Sequence, residues 1–154
     1  MIRKASKKDV GAISLLLNEI NEQHILLAPS RYKKVTDDFN HSYIKKYLSE
    51  ESNTVIVSEI NNRIIGVALL SIKNYDHNGP TKNIKTAFLD TIAVSSSQRR
   101  RGVGQELLTE IEKLAKQLSC SAIKINVAAE NNDALKFYEQ LDYKESDIQL
   151  IKII

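Results

Sequence analysis

Apolar residues recur every three or four positions along several parts of the chain, which is the spacing of an amphipathic α-helix. Four stretches show this period and predict helices: 10–27, 39–48, 103–118 and 134–141. Ser6 and Asp9 precede the first with the spacing of a helix capping box, and Pro29 ends it. The stretch that follows Gly102 has the cleanest apolar face.

Runs of β-branched and apolar residues without helical spacing predict strands. These runs lie around Ile2 and at residues 54–60, 63–71, 85–94, 122–128 and 143–154. The last of them is predicted to form one or two strands. Asn61 and Asn62 separate two of these runs, and asparagine tolerates the positive φ angles of a tight hairpin turn. Residues 85–94 are apolar on both faces except at Asp90, so we expect that strand inside the sheet. Residues 76–80 are predicted to form a loop.

A basic loop with two glycines joins a predicted strand to the most regular helix. Arg99, Arg100 and Arg101 precede Gly102 and Gly104. The first turn of a helix has N–H groups without partners, and the helix dipole adds positive potential there. Glycine lets a ligand approach the backbone and arginine adds charge, so a phosphate or diphosphate is the best-matched ligand. The alternative is a solvated basic turn whose glycines only shape the chain.

The residues after this loop argue against two common phosphate sites. A Walker loop ends in Gly-Lys-Ser/Thr, but Gly104 is followed by Gln105 and Glu106, so ATP or GTP is not indicated. The dinucleotide loop needs a third glycine where this chain has Leu107, and it usually follows the first strand of a domain.

The chain contains two motifs, Arg99-x-x-Gly102-x-Gly104 and Asn131-x-x-Ala134-x-x-Phe137-Tyr138. Both resemble motifs of the GNAT family of N-acetyltransferases. The first is similar to the family's acetyl-CoA loop, and the second to its motif beyond the fifth strand. The resemblance covers essentially the whole chain. Two positions depart from it: Asp142 replaces a frequent glycine before Tyr143, and Ser95 to Ser97 replace a frequent proline. Aspartate tolerates left-handed backbone, so we expect the turn at Asp142 to survive.

The resemblance implies a single α/β domain over residues 1–154. Its sheet would be mixed, mostly antiparallel, with six to seven strands, about four flanking helices and a split between the fourth and fifth strands. It also implies transfer of an acetyl group from acetyl-CoA to a primary amine by direct attack in a ternary complex. The single cysteine, Cys120, has no neighbouring base, which agrees with the absence of an acyl-enzyme. The acceptor side would lie roughly over residues 21–32, and the sequence does not identify the acceptor.

Cofactor contacts are implied in the same way. The loop that would hold the CoA diphosphate comprises Arg99, Arg100, Arg101, Gly102, Val103, Gly104 and Gln105. Backbone groups of Ile92, Ala93 and Val94 would pair with the pantetheine arm like an added strand, and one N–H would polarise the thioester carbonyl. Asn131 would either hydrogen-bond the cofactor or cap the following helix.

Two side chains are candidates for proton transfer. The resemblance makes Tyr138 the general acid that protonates the CoA sulfur, and it would also contact the cofactor; the alternative is a core tyrosine. Asp90 is the candidate general base, directly or through water, because it is a half-buried carboxylate in an apolar strand. The alternative is an aspartate at a strand irregularity, hydrogen-bonded to backbone. His24 and His77 would line the acceptor site or serve surface and packing roles.

Composition narrows the class of protein further. With 27% charged and 42% hydrophobic residues, the chain is typical of a folded domain. It has no apolar run of membrane-spanning length and no secretory leader, so we expect a cytoplasmic protein without membrane contact. Three histidines and one cysteine show no metal-ligand spacing, so no metal is expected.

Three functions remain open at this point. The first is an acetyltransferase acting on a small-molecule or protein amine, with a homodimer as one candidate assembly. The second is a non-catalytic acyl-CoA sensor or regulatory module on the same fold. Nucleic-acid binding through the arginine run is the third, and it is disfavoured because the chain has a net charge of only +3 and no interleaved aromatics.

Overall fold

A computed structural model describes residues 1–75, 80 and 82–154, and in it helices lie before and after a run of three consecutive strands. The strands in this part are β1 (Ile2–Lys4), β2 (Asn53–Ile60), β3 (Arg63–Tyr75), β4 (Ile84–Val94) and β5 (Ala122–Ile125). The α-helices are α1 (Val10–Leu27), α2 (Asp37–Ser49), α3 (Val103–Gln117) and α4 (Asn132–Glu139). Single 3-10 turns lie at Lys7–Asp9 and Ser96–Gln98. The loop predicted at 76–80 falls, except for Pro80, outside the described residues.

The strands form one mixed sheet in the order β1-β2-β3-β4-β5. The first four pair antiparallel, and β5 joins β4 in parallel. The class of fold predicted from the sequence is therefore confirmed, and β4 lies inside the sheet as expected. The described residues hold five strands rather than six to seven.

The prediction of strands over 143–154 was wrong. That segment has no regular secondary structure. Its large aliphatic side chains are all at least 78% exposed, and they are Ile148, Leu150, Ile151, Ile153 and Ile154. β-Branched composition is not sufficient for a strand, because the backbone groups also need a neighbouring strand to pair with.

Alternation along the strands produces two cores, one on each face of the sheet. On one face, residues such as Leu70 and Leu89 pack against the apolar stripe of α3. On the other face, Val57 and Leu69 pack with residues of α1 and α2, including Ile44. The sheet is thus a layer between α3 on one side and α1 with α2 on the other.

A tight turn and a capping box that the sequence predicts are both present. Asn61 and Asn62 have φ angles of 49° and 61°, so the predicted left-handed hairpin turn between β2 and β3 is confirmed. The predicted capping box is also confirmed, because the Asp9 carboxylate accepts a hydrogen bond from the Ser6 N–H at 2.7 Å. It caps the 3-10 turn that leads into α1.

Strand β4 is irregular where it passes Asp90. Its register with β3 shifts between Leu69 and Leu70, which leaves Asp90 as an extra residue without a partner on β3. On the other edge, pairing with β5 runs from Thr86 to Leu89 and then stops. β5 consequently ends at Ile125, not at the predicted residue 128. Beyond this point β4 continues without a partner strand on that edge in the described residues, at the place of the predicted split.

Helices α3 and α4 end in the same way. Each terminates at a residue in left-handed conformation, Ser119 with φ 57° and Asp142 with φ 63°. At the end of α4, the Tyr143 N–H donates to Tyr138 O and the Asp142 N–H donates to Glu139 O, both at 3.1 Å, which is a Schellman motif. The expectation that Asp142 would preserve this turn in place of glycine is confirmed.

Replacing Asp142 by glycine should stabilise the protein. Left-handed backbone costs an ordinary residue about 1–2 kcal/mol and costs glycine little, so we expect Asp142→Gly to raise the free energy of unfolding by about 1 kcal/mol. Urea denaturation followed by circular dichroism measures the change. Lys136→Gly, in the exposed middle of α4, is the matched control and should lower stability by about 1 kcal/mol. A loss of stability in Asp142→Gly would contradict this account of the turn.

An ion-pair cluster ties β1 to the start of α1. The Arg3 guanidinium donates to both Asp9 oxygens, at 2.8 and 2.9 Å, and also to Glu59 Oε2 at 2.7 Å. Asp9 is only 7% exposed. The hydrogen bonds from Arg3 hold the pKa of the Asp9 carboxyl well below its usual value, against the opposing effect of burial.

This lowered pKa makes the Asp9 contribution depend on pH. A carboxyl whose pKa is lower in the folded state stabilises the fold above its unfolded pKa of 3.8, and loses that contribution as the pH falls through the folded pKa. We expect Asp9→Asn to lower the free energy of unfolding at pH 7 by about 2 kcal/mol. The difference between the two proteins should shrink below about pH 4. Urea titrations at pH 7 and pH 3 test this, and an equal difference at both pH values would contradict it.

Candidate active site

The loop before α3 leads into a helix start whose backbone N–H groups have no intrahelical partners. Arg100 and Gly102 both adopt left-handed conformation, with φ angles of 58° and 84°. Within the helix, the Glu106 N–H donates to Gly102 O at 2.9 Å. The N–H groups of residues 103–105 therefore precede the first intrahelical hydrogen bond, and Gly102 has no side chain to cap them. Such a group of amides, at the positive end of a 15-residue helix, can hold an anion.

The glycines around this loop serve different purposes. At Gly102 a Cβ would meet no atom within 4 Å, so the space above its backbone is open, and its left-handed φ angle favours glycine. At Gly104 a Cβ would lie 3.2 Å from Phe137 Cζ, so this glycine lets α3 pack closely on α4. At Gly66, on β3, a Cβ would lie 3.0 Å from Val103 Cγ1. Only Gly102 thus offers room for a ligand; the other two set the position of α3.

The three arginines do not act as a group. Arg99 turns inward: its Nε donates to Val94 O at 2.9 Å, and its Nη2 lies 3.6 Å from the Glu19 carboxylate on α1. The same carboxylate accepts a hydrogen bond from the Ser96 N–H at 2.6 Å. Arg100 and Arg101 are exposed. Arg99 therefore anchors the loop to β4 and α1, whereas its two neighbours supply charge at the surface.

Ile92, Ala93 and Val94 lie where β4 has separated from β5. On one edge their backbone pairs with residues 66–68 of β3. Beyond Leu89 the opposite edge has no strand beside it within the described part of the chain. The predicted pantetheine contact thus falls on an open strand edge, and Arg99 joins this edge to the amide-lined loop.

Tyr138 lies on the face of α4 that packs into the core. It is 6% exposed, and its ring centroid is 5.2 Å from that of Phe137 and 5.4 Å from that of Tyr143. Burial raises the pKa of its hydroxyl well above 10. This environment is that of the core tyrosine weighed above, and the role of its hydroxyl stays a prediction.

Asn131 caps α4, because its Oδ1 accepts a hydrogen bond from the Ala134 N–H at 3.1 Å. This confirms the capping interpretation of Asn131. The cap does not use the Nδ2 group of the side chain, so a cofactor contact through that group remains a prediction.

Asp90 has a partner that the sequence did not reveal. The Tyr47 hydroxyl, on α2, donates to Asp90 Oδ2 at 2.6 Å. The predicted strand irregularity is present, but this partner is a side chain and not the backbone. Burial, followed by the hydrogen bond to Asp90, raises the pKa of Tyr47. The two residues are 43 positions apart, and no local pattern links them.

The predicted histidines are not part of this arrangement as far as it is described. His24 lies near the end of α1, with its ring 4.9 Å from that of Tyr32, and burial lowers its pKa. His77 lies outside the described residues. In the described residues, no three potential metal ligands cluster, and no helix has the length and apolar character needed to cross a membrane.

A family model and a curated relative point to the same family. The sequence model of the family described as "Acetyltransferase (GNAT) family" matches residues 17–143. An acetyltransferase from Yersinia pestis is 28% identical over 105 residues, which cover 68% of this chain and 67% of that protein.

Two solved structures illustrate the likeness of the fold. A mutant of the BH1408 protein from Bacillus halodurans has a TM-score of 0.95 at 19% identity, covering 100% of this chain and 99% of that one. Aminoglycoside N-acetyltransferase AAC(6')-Iy in complex with CoA has a TM-score of 0.77 at 21% identity, covering 100% and 93%.

Substitution of Gly102 tests the anion site. Valine at φ 84° is strained and covers the amides, so we expect Gly102→Val, and to a smaller extent Gly102→Ala, to weaken CoA binding at least tenfold. Isothermal titration calorimetry measures the affinity, and circular dichroism verifies the fold. Gly11→Ala is the control, because a Cβ there meets nothing within 4 Å. Undiminished CoA affinity in a folded Gly102→Val protein would exclude this site.

Proposed function

This chain belongs to the acetyltransferase (GNAT) family, and from that premise we propose that it is an N-acetyltransferase. In this proposal the acetyl group of acetyl-CoA moves to a primary amine of an acceptor by direct attack in a ternary complex, within one domain spanning residues 1–154. The observation that carries the proposal is the meeting of the amide-lined start of α3 with the open edge of β4. The aminoglycoside acetyltransferases among the similar structures support a small-molecule acceptor, and we expect the protein to act in the cytoplasm.

The donor occupies the gap between β4 and β5 in this proposal. The N–H groups of residues 103–105 hold the diphosphate, and Arg100 and Arg101 add positive potential from the surface. The pantetheine arm pairs with the open edge at residues 92–94 in the manner of an added strand. One N–H of this edge then points at the thioester carbonyl, where it stabilises the negative charge that develops on oxygen during attack.

Two side chains move protons in the proposed reaction. The attacking amine loses a proton as its bond to the carbonyl carbon forms, and Asp90 accepts that proton through Oδ1, since Tyr47 occupies Oδ2. As the carbon–sulfur bond breaks, Tyr138 donates a hydrogen bond or proton to the departing thiolate. The raised pKa of Tyr138 keeps its proton in place at neutral pH. Because the amine attacks the thioester directly, the protein needs no nucleophile of its own.

One observation favours a second candidate, a non-catalytic acyl-CoA sensor on the same fold. Tyr138 is 6% exposed and packed between two aromatic rings, which a purely structural tyrosine would also be. Turnover separates the two functions. CoA binding with no acetylated product across a broad amine panel would support the sensor.

Removal of the Tyr138 hydroxyl tests its proposed role. We expect Tyr138→Phe to lower kcat about 100-fold with little change in CoA affinity, because general acids typically contribute 10²–10⁴-fold. Tyr143→Phe is a matched control, since the Tyr143 hydroxyl is buried without a hydrogen-bond partner in the described structure and its ring packs on that of Tyr138. Release of CoA, monitored with a thiol reagent, measures the rate. Equal kcat values in the two variants would exclude Tyr138 as the acid.

A further inference from the structure

We propose that α2 and β4 form a cation-binding subsite that selects elongated, carboxylate-free amines, such as alkyl diamines, as acceptors. The subsite consists of Phe39, Tyr43 and Tyr47 on α2, with Asp90 on β4 and Ser71 on β3. This inference rests on the proposed acetyltransferase function, whose acceptor it specifies.

The aromatic residues form a row on one face of α2. They are spaced four residues apart, which places them one above the other on a helix. The ring centroids of Phe39 and Tyr43 are 6.5 Å apart, and those of Tyr43 and Tyr47 are 5.8 Å apart. Exposure falls along the row, from 57% at Phe39 to 38% at Tyr43 and 7% at Tyr47. The row therefore leads from solvent to the buried carboxylate contact.

The inner end of the row carries polar groups that can form further hydrogen bonds. Tyr47 donates to one oxygen of Asp90, at 2.6 Å, so the other oxygen is available to the amine whose proton it accepts in the proposed reaction. Ser71 is 9% exposed, and its buried Oγ lies beside the Tyr47 hydroxyl, where it partly offsets the raised pKa of that tyrosine without forming a well-aligned hydrogen bond in the described residues. Buried hydroxyls in folded proteins nearly always have a partner, so the Ser71 hydroxyl beside Tyr47 is a second group at this end of the row that can hydrogen-bond a polar ligand.

The electrostatics of the row favour a cation. The pKa of the Tyr43 hydroxyl is raised, first by burial and then by the negative charges of Asp90 and Glu50. Aromatic faces attract an ammonium group and also pack well against methylene groups. Lys73 already makes such a contact, with its Nζ 4.0 Å from the centroid of the Phe88 ring, so that ring is not available to the acceptor.

These features discriminate between classes of amine. One amine of a diamine reaches Asp90, its methylene chain lies along Tyr43, and the second ammonium contacts the exposed ring of Phe39. An α-amino acid brings a carboxylate toward Asp90 and Glu50, which repel it. A simple alkylamine lacks the second charge and gains only the apolar contact.

A matched set of acceptors tests the proposal. 1,5-Diaminopentane and lysine differ only by the α-carboxylate, and pentylamine lacks the second ammonium. With acetyl-CoA as donor, we expect kcat/KM for 1,5-diaminopentane to exceed that for each of the other two at least tenfold. Lysine or pentylamine reacting as well as the diamine would overturn the proposal.

Substitutions of Tyr43 test whether the aromatic row is the site that binds the diamine. We expect Tyr43→Leu to raise KM for 1,5-diaminopentane at least tenfold with less than a threefold change in kcat, and Tyr43→Phe, which keeps the ring, to restore KM. Ile60→Ala, in an apolar residue 48% exposed at the end of β2, controls for loss of surface area and should leave KM unchanged. An unchanged KM in Tyr43→Leu would overturn the assignment of the row.

Direct binding distinguishes failure of this subsite from failure of the proposed function. Calorimetric titration of 1,5-diaminopentane into protein saturated with CoA requires no turnover. Binding that Tyr43→Leu weakens at least tenfold would support the subsite even if no amine were acetylated, an outcome that would refute only the enzymatic function. Absence of diamine binding to the CoA-loaded protein would overturn the subsite.

Discussion

Strand β4 pairs with β3 along most of its length but with β5 over only four residue pairs, and this asymmetry organises the rest of the molecule. A parallel strand must return by a crossover, and here α3 makes that connection across one face of the sheet. The start of α3 consequently lies just beyond the end of β4. The same connection therefore creates the open strand edge and places the free amides of the helix beside it.

Features that depend on a few neighbouring residues could be predicted from the sequence. Asn61 and Asn62 form the expected turn, because asparagine accepts left-handed backbone whatever surrounds it. The stripe of α3 repeats at helical spacing over fifteen residues, so its buried face was evident. The free amides at the start of α3 were predictable for the same reason, since a helix start at glycine has N–H groups without intrahelical partners regardless of the rest of the fold.

Features that depend on distant partners could not be predicted. The partner of Asp90 is 43 residues away on another helix, and Arg99 turns toward a strand end that only the folded sheet places beside it. Gly104 was predicted to let a ligand approach, whereas its space is taken by Phe137 of α4. The segment 143–154 has the composition of a strand but no neighbouring strand in the described structure. In each case the deciding quantity is a tertiary contact that no local pattern encodes.

Gly66 shows that the position of the proposed anion site depends on residues outside it. This residue lies on β3, and the absence of its side chain allows Val103 and Leu107 to approach the sheet. A Cβ atom at Gly66 would lie 3.0 Å from Val103 Cγ1 and 3.1 Å from Leu107 Cδ1. Because protein interiors are close-packed, one added methyl group would require the Val103 and Leu107 side chains at the start of α3 to shift by a few tenths of an ångström. Gly66 thus influences how closely the start of α3 packs on the sheet, although it is not among the residues proposed to contact the ligand. If the proposed donor site is correct, natural variation at this position would change donor affinity while every proposed contact residue stayed the same.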